Sequence, residues 1–514
     1  MQGAQIELTD IQQFYKNETV LLTGGTGFIG KLLLEKILRA LPIKKVFLLI
    51  RSKKNAEPAT RLQTIFASPI FQVLKRSHPD VFSKVEAVHG DCGLPMLGMS
   101  QQNVERLQEE VSVIFHCAAN VRFEEPIKSA TFLNVRATKD LIYIARKLKK
   151  IKAFVYVGTA YSNSNRKEIK EQVYPAKISA ENLIGACEAL DEATLASINP
   201  TLIADWPNNY TFTKQVAEDY ISREAQDIPI CICRPSVVMA TAEEPLAAFF
   251  DSPYSLGAFS VVNALGICRI SYFKRGVVDL IPADYLVNEC IAAGWHTAGN
   301  FKNPRTEIPV YHMCSSPENP MQLEDIFWYG HCATQIIPLS KSLMYPLFFF
   351  TTCKPNYLLW RFILHTLLAF FVDMFVQLKG QTPKLGAAMK KLHRVQDSYE
   401  YFTTHSFYFH IENRHKMLKK MSFKDREMFN FNIKELNWHD YFVQQMRGLR
   451  IYIAKDPIST VPAAIKRNKR LRNIFVLSFI AITILAYGLG KILLFRLLPW
   501  VLAGAAYFLR MMVC

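Results

Sequence analysis

No C-x-x-C pair occurs among the 11 cysteines of this 514-residue chain, and their positions are scattered. A disulfide framework or a zinc or other metal site is therefore not expected, and a reducing compartment is. The 22 glycines and 25 prolines follow no period, which excludes collagen-like and repeat architectures. Half of the residues are apolar and a fifth charged, so disorder is excluded, and the length implies about three domains. Met1–Asp10 has neither a basic start nor an apolar run, so no secretory signal is expected. Met512-Val513-Cys514 matches neither a peroxisomal ending nor a prenylation box.

Acidic residues are absent after Asp456. The 61 Lys and Arg exceed the 44 Asp and Glu by 17, and eight of those excess charges lie in the last 58 residues. They are Lys466, Arg467, Lys469, Arg470, Arg472, Lys491, Arg496 and Arg510, interleaved with apolar runs. A basic cluster beside an apolar run points to a membrane rather than to nucleic acid, and no aromatic-basic platform for nucleic acid is present. Ile474–Leu489 carries no charge and no proline. Extended to Phe495, with Lys491 snorkelling, the run reaches roughly 33 Å as a helix, enough for a hydrocarbon core of about 30 Å. Leu497–Leu509 is too short to cross alone, so a single span and a hairpin both remain open. The basic flank 466–473 keeps its side of the membrane, and the large domain with it, in the cytosol.

In the first 310 residues short apolar runs alternate with helical patterns. The expected strands are Thr19–Thr23, Lys45–Ile50, Val85–His89, Val111–Cys117, Ala153–Val157, Ile228–Cys233 and Ile308–Met313. Several are apolar throughout, as strands buried on both faces are, and the alternation predicts an α/β, doubly wound parallel sheet. Thr23-Gly24-Gly25-Thr26-Gly27-Phe28-Ile29-Gly30 follows the first strand and opens a helix, the Rossmann-type arrangement for a dinucleotide pyrophosphate. Arg51-Ser52-Lys53-Lys54 ends the second strand with cations and no acid, which suits a 2′-phosphate and favours NADPH over NADH. Asp91 ends the third strand, where it can accept from an adenine amino group. Cys117-Ala118-Ala119 ends the fourth, where small side chains leave room for a flat ring.

Reducing a carbonyl by hydride needs a proton donor, and a Tyr with a Lys four residues on along a helix supplies one. The Lys charge is expected to lower the Tyr pKa. Three such pairs occur: Tyr143/Lys147, Tyr210/Lys214 and Tyr487/Lys491. The last lies in the tail, and the first lies upstream of any strand-end hydroxyl. Tyr210/Lys214 follows Gly158-Thr159-Ala160-Tyr161, so Thr159 can complete a Thr-Tyr-Lys triad.

Beyond residue 317 the strand pattern stops. Leu343–Phe350 and Tyr357–Val376 are apolar but interrupted by Lys354, Pro355, Arg361, His365 and Asp373. The interruptions favour buried helices over a membrane-facing or acyl-lined unit. Lys384–Arg394 reads as a solvated basic face, and His405–Tyr452 as a small helical domain. The expected division is a nucleotide-binding domain over 1–330, including its substrate loop, a helical domain over 331–460, a basic flank over 466–473 and a membrane anchor over 474–514.

The combination resembles the extended short-chain dehydrogenase/reductases, and within them the alcohol-forming fatty acyl-CoA reductases, with a C-terminal "male sterility" type domain. The segments that carry the likeness are the Thr23–Lys31 turn, Leu48-Leu49-Ile50-Arg51, His116–Phe123, Asn134-Val135-Arg136-Ala137-Thr138, Gly158–Tyr161, Tyr210–Lys214, Arg234-Pro235-Ser236 and Asp279–Asp284. The resemblance implies NADPH-dependent reduction of a long-chain acyl-CoA to a primary alcohol. Tyr210 would be the acid, Thr159 would orient the carbonyl oxygen, and Lys214 would bind the nicotinamide ribose. Asn134 would support the site from behind. Cofactor contacts would come from Thr23, Gly24, Thr26, Gly27, Phe28, Ile29, Gly30, Arg51, Lys53, Asp91, Ala118, Asn134, Lys214 and Pro235. The membrane would be that of the endoplasmic reticulum, the peroxisome or a lipid droplet. An extended reductase of another lipid or sterol, or an inactive tethered homologue, is the alternative. Gly158 stands where many members have Ser, and Asn120 replaces a small residue or Thr. The substrate loop from Glu244-Pro245 to Gly266 lacks the usual Gly-rich run.

Overall fold

The computed structural model describes residues 7–53, 56–251, 256–303 and 305–488. Lys54, residues 252–255 of the substrate loop and residues 489–514 lie outside the described residues. So do Lys491 of the third Tyr/Lys pair and most of the expected anchor.

The seven expected strands form one parallel sheet: β1 (Thr19–Thr23), β2 (Lys45–Ile50), β3 (Val85–His89), β4 (Val113–His116), β5 (Ala153–Val157), β6 (Ile230–Pro235) and β7 (Val310–Met313). Their spatial order is β7-β6-β5-β4-β1-β2-β3, with the doubly wound reversal between β1 and β4. Leu21 pairs with Phe47 on one side and Ile114 on the other. β1 and β6 are buried at every position, which is why they read as unbroken apolar runs rather than as alternations.

The chain forms two compact units, each discontinuous in sequence. One holds Met1–Ala247, Val278–Pro320 and Ser406–Leu436; the other holds Ala248–Val277, Met321–His405 and Asn437–Cys514. The stretch 405–452, expected as one small helical domain, is thus shared between the units. Its first part joins the sheet unit through a two-residue strand, where Tyr408 pairs with Glu168 and Phe409 with Ile169.

In the sheet unit the start of the substrate loop is pinned. The Asp284 carboxylate accepts the backbone N–H groups of Ala242, Glu243 and Glu244 at 2.8, 2.8 and 3.0 Å. Glu244 in turn pairs with Lys36 and, at 2.9 Å, with Arg39. Asp279 holds the Ser316 N–H at 2.7 Å, so both acids of the Asp279–Asp284 motif bind backbone.

The second unit overturns the expectation of buried helices over 357–376. Lys354–Leu378 is one continuous helical run with a π turn at Phe362–Leu367. Tyr357, His365 and Ala369 form its buried stripe, while Leu359, Phe362, Phe370, Phe371, Phe375 and Leu378 are all more than half exposed. Apart from the buried His365, whose Nε2 accepts the Arg269 N–H at 2.9 Å, the polar residues that interrupt it do not face a core. Lys354 pairs with Glu400, Arg361 with Asp397 and His365 with His393, and Asp373 caps Leu385 and Gly386. All of those partners lie on the helix Leu385–Thr404, which runs antiparallel and keeps Lys390, Lys391 and Arg394 in solvent. Among the described residues Lys354–Leu378 is the one helix long and apolar enough to cross a membrane. The helix Val461–Gly488 carries the basic flank, and beyond it Ile474, Leu477, Ile482 and Ile484 are exposed.

Candidate active site

The glycine turn is shaped by steric need. Gly24 has φ +75°, and a Cβ there would lie 2.6 Å from the Ala118 nitrogen, so only glycine lets β1 and β4 end side by side. A Cβ on Gly30 would lie 2.3 Å from the Gly24 oxygen, which locks the helix Phe28–Ala40 onto the turn. Gly27 differs: a Cβ there would meet a single protein atom, the Gly24 oxygen at 3.2 Å. Its bare side is open, Thr26 and Gly27 are exposed, and Phe28 and Ile29 are half-buried. Gly27 caps the helix with no side-chain bond, leaving the first N–H groups for an anion. This cradle fits a dinucleotide pyrophosphate.

At the end of β2, Arg51 and Lys53 are exposed, and Arg51 Nη1 lies 3.5 Å from Asp91 Oδ2. Asp91 Oδ1 accepts the Gly93 N–H at 2.9 Å. Arg61, not singled out in the sequence, donates to the Arg51 carbonyl and adds a third cation; neighbouring Arg51 helps push its pKa down, after desolvation.

Behind the turn a chain of hydrogen bonds joins β1, β4 and the π turn Phe132–Arg136. Thr138 donates to the Asn134 carbonyl at 2.8 Å, so His116 Nε2 must donate to the Thr138 hydroxyl at 3.2 Å. His116 Nδ1 then accepts from the Thr23 hydroxyl at 2.7 Å, and Thr23 accepts the Ala118 N–H at 3.3 Å. Burial, followed by the charge of Lys214, pushes the His116 pKa down to about 3, so the ring is neutral as this network requires. Asn134, 1% exposed, accepts the Asn120 N–H at 2.9 Å and donates to the Thr213 hydroxyl at 3.0 Å. It ties the β4 end to the helix that carries Tyr210.

That helix, Asn209–Glu224, starts at Asn208, whose side chain accepts the Thr211 N–H at 2.9 Å. Tyr210 meets the Thr159 hydroxyl, and the ring of Phe123 stacks on it with centroids 6.1 Å apart. Burial pushes the Tyr210 pKa up to about 12; the Thr159 hydroxyl offsets part of this, and the charge of Glu218 adds to it. The phenol is therefore held protonated, the reverse of the expected lowering. Lys214 donates to the Val157 carbonyl at 2.7 Å, with Nζ 4.6 Å above the centre of the Tyr156 ring. Burial pulls its pKa down to about 8, and Glu218 opposes that shift. Pro235 is buried at the end of β6.

Sequence reasoning missed Glu218. It lies one turn beyond Lys214 and pairs with Arg234 at 2.8 Å, both side chains being fully buried. Arg234 Nη1 also donates to His312 Nε2 at 3.1 Å, which leaves His312 Nδ1 to donate to the His410 carbonyl. A Cβ on Gly158 would lie 2.7 Å from Glu218 Oε1, which explains why glycine stands there rather than serine. The readable signal was the spacing from Lys214 to Glu218 along one face, facing Arg234 on a neighbouring strand.

An NAD-binding family model described as "Male sterility protein" matches residues 22–290, and a second with the same description matches 364–456. The fatty acyl-CoA reductase wat of Drosophila melanogaster is 35% identical over 470 residues, covering 90% of this chain and 89% of the relative. The chain belongs to the fatty acyl-CoA reductase family. Fatty acyl-CoA reductase 2 of Homo sapiens is 33% identical, covering 94% of this chain and 93% of its own length. Among solved structures, the terminal R domain of the myxalamid PKS-NRPS pathway superposes with a TM-score of 0.58 at 17% identity, over 85% of this chain and 92% of that one. At that identity the likeness is one of fold. The family and the nucleotide cradle together make this a nicotinamide-dependent oxidoreductase.

Proposed function

We propose that the protein reduces a long-chain fatty acyl-CoA to the primary alcohol and free CoA, with NADPH as reductant and an aldehyde retained between two reductions. The observation that carries the reading is the open glycine cradle at the end of β1 together with the helix of Tyr210, which Asn134 ties to the end of the neighbouring strand β4 through Thr213 and Asn120. The cradle, Ala118, Asn134, Lys214 and Pro235 would hold the cofactor, and Arg51, Lys53 and Arg61 its 2′-phosphate. When bound, the reduced nicotinamide supplies the hydride for each step.

Thr159 and Tyr210 hold the thioester carbonyl oxygen, and Tyr210 gives it a proton as negative charge develops there. The resulting thiohemiacetal returns that proton to Tyr210 as its carbon–sulfur bond breaks, and the CoA sulfur leaves as a thiolate that takes a proton from water. The aldehyde oxygen then occupies the same two hydroxyls, and a second proton from Tyr210 completes the alcohol.

The functional division we propose is 1–330 for nucleotide and substrate, 331–460 for the helical region, 466–473 for the basic flank and 474–514 for the anchor. The exposed apolar side of Lys354–Leu378 and the tail face a membrane, with the nucleotide site on the cytosolic side of the endoplasmic reticulum, peroxisome or lipid droplet. Paired along its length with a helix bearing Lys390, Lys391 and Arg394, Lys354–Leu378 lies in the interface rather than across the bilayer.

Purified protein with a long-chain acyl-CoA should oxidise two NADPH for each thiol released and yield alcohol. Free aldehyde at one NADPH per thiol would overturn the four-electron reading. Arg51→Asp should narrow the preference for NADPH over NADH by about tenfold, which matched kcat/KM measurements with the two cofactors would check.

A further inference from the structure

Arg269 immediately precedes the strand Ile270–Tyr272 in the second unit, and its backbone is fixed on both sides. Its N–H donates to His365 Nε2 at 2.9 Å, and its carbonyl accepts the Phe349 N–H at 2.8 Å. The guanidinium carbon stands 5.5 Å from the centre of the Phe475 ring. One residue thus touches both helices that turn hydrocarbon outward, Lys354–Leu378 through His365 and Val461–Gly488 through Phe475.

No carboxylate answers its charge. The other buried arginines all have one: Arg136 pairs with Glu188, Arg234 with Glu218, Arg414 with Glu289 and Glu318, and Arg450 with Asp456. Arg269, 8% exposed, forms no ion pair among the described residues. Its Nε is enclosed without a partner, and its Nη1 donates only to the Met344 sulfur at 3.1 Å. Nη2, neither enclosed nor bonded, is the nitrogen left to the outside. Burial alone pushes the pKa down, with no acid near enough to oppose it, yet a guanidinium stays charged at neutral pH. A desolvated charge without a counter-charge is costly, so the position is built for an anion that the chain does not supply.

The surroundings show which anion. On the helix Val461–Gly488, Lys466, Arg467, Lys469 and Arg470 are exposed and Arg472 is half-buried, and none pairs with a carboxylate among the described residues. Arg472 stands one turn before Phe475 and within electrostatic reach of Tyr345, whose ring lies 6.1 Å from that of Phe475. From Ile474 onward the helix exposes hydrocarbon, with Ile474 and Leu477 both more than half exposed. Phe475 therefore marks the turn where the helix passes from basic to apolar, which at a membrane surface is the level of the lipid phosphates.

We infer that Arg269 is a receptor for the phosphate of an anionic phospholipid headgroup, with Nη2 donating to a phosphate oxygen and Arg472 adding charge from the neighbouring helix. A guanidinium fork fits a phosphate, and the lipid supplies the counter-charge that the chain withholds. The inference rests on the proposed membrane contact of the two apolar helices and names the lipid group which that contact recognises.

Thermal unfolding of the full-length protein in nonionic detergent tests this with soluble probes. Dioctanoyl phosphatidate should raise the midpoint by about 3 °C, and dioctanoylglycerol, which lacks the phosphate, should not. Arg269→Met and Arg269→Gln should each abolish the shift. Because each removes an uncompensated charge, neither should lower the lipid-free midpoint. The assignment is overturned if the phosphatidate shift is missing in the unaltered protein, persists in either variant or is matched by dioctanoylglycerol. An Arg269-dependent shift of the same size from inorganic phosphate, octanoate or CoA would replace the lipid by another anion and overturn it equally. A lower lipid-free midpoint in both variants would do the same, since the guanidinium would then be answered by protein. Flotation separates the two readings. A protein that shows the phosphatidate shift but floats with neither phosphatidylcholine nor phosphatidate vesicles supports the headgroup site and sinks the membrane contact alone.

Discussion

In the helix Asn209–Glu224, Thr211, Thr213, Lys214, Gln215 and Glu218 are all buried, whereas in Lys354–Leu378 it is Leu359, Phe362, Phe370, Phe371 and Phe375 that stand exposed. The usual relation between polarity and burial is inverted in both, for opposite reasons. The first helix can bury polar groups because nearly all of them are answered: Lys214 by Val157, Glu218 by Arg234 and Ser162, Thr213 by Asn134. Answered polar groups in a water-poor setting fix position and shift pKa values, which is what proton transfer needs. The second helix spends its polar groups on a neighbouring helix and turns its hydrocarbon outward, which is stable only against another apolar phase.

Breaking the first helix at its chemistry should give the largest effect. Tyr210→Phe removes the proton donor and leaves the stacked ring, so kcat should fall about 10³-fold, equal to about 4 kcal/mol of barrier, while thermal unfolding is unchanged. A variant that keeps full turnover would remove Tyr210 from the acid role. Breaking the same helix at its support should act on stability instead. Glu218→Leu strands the fully buried Arg234 and should cost about 3 kcal/mol by denaturant titration. Gly158→Ser, which drives a Cβ toward the Glu218 carboxylate, should act in the same direction.

Much of this contrast was legible in the sequence, and the rest was illegible for identifiable reasons. Strands buried on both faces are apolar throughout, so several of the seven appeared as unbroken runs, while the edge strand β3 carries Glu86 at its centre; all seven ends fell within two residues, as at Ile228–Cys233 against Ile230–Pro235. The glycine turn was legible because steric exclusion at Gly24 and Gly30 admits one residue type. Glu218 was not, because a buried acid looks like a solvated one until its Arg234 partner is known. The side of Lys354–Leu378 that faces out was misread for the same reason. Lys354, Arg361 and Asp373 looked like marks of a helix inside a soluble core, yet their partners lie some 12–46 positions away on one adjoining helix. The return of Ser406–Leu436 to the sheet unit was illegible as well, because the two-residue pairing at Tyr408 and Phe409 is too short to carry a pattern and the buried Arg414 finds its partners Glu289 and Glu318 far off in sequence.

Polarity reversal in the second helix should have a smaller and different consequence. Phe370→Gln, Phe371→Gln and Phe375→Gln together remove exposed hydrocarbon without touching the Tyr357–His365–Ala369 stripe. Flotation with anionic vesicles should show binding reduced by about two orders of magnitude, with soluble-phase stability altered by less than about 1 kcal/mol. Unchanged flotation would shift the membrane contact to the tail alone; a collapse in stability would mean that these rings pack against protein.

The smallest effect comes from titrating the first helix rather than cutting it. Lys214 is charged below its pKa of about 8 and neutral above it, because burial disfavours the ammonium. If its charge is needed to receive the cofactor, kcat/KM for NADPH, which reports the free enzyme, holds below that pH and is lost as pH rises through it. One unit above, the loss should be about tenfold. Lys214→Arg, whose guanidinium does not deprotonate in this range, should flatten that limb in whatever activity it retains. Glu218→Gln should do the reverse. The Glu218 charge raises the Lys214 pKa, so removing it should move the limb to lower pH. A limb that stays in place in both variants would belong to another group, and the buried polar helix would then position Tyr210 without tuning its neighbour.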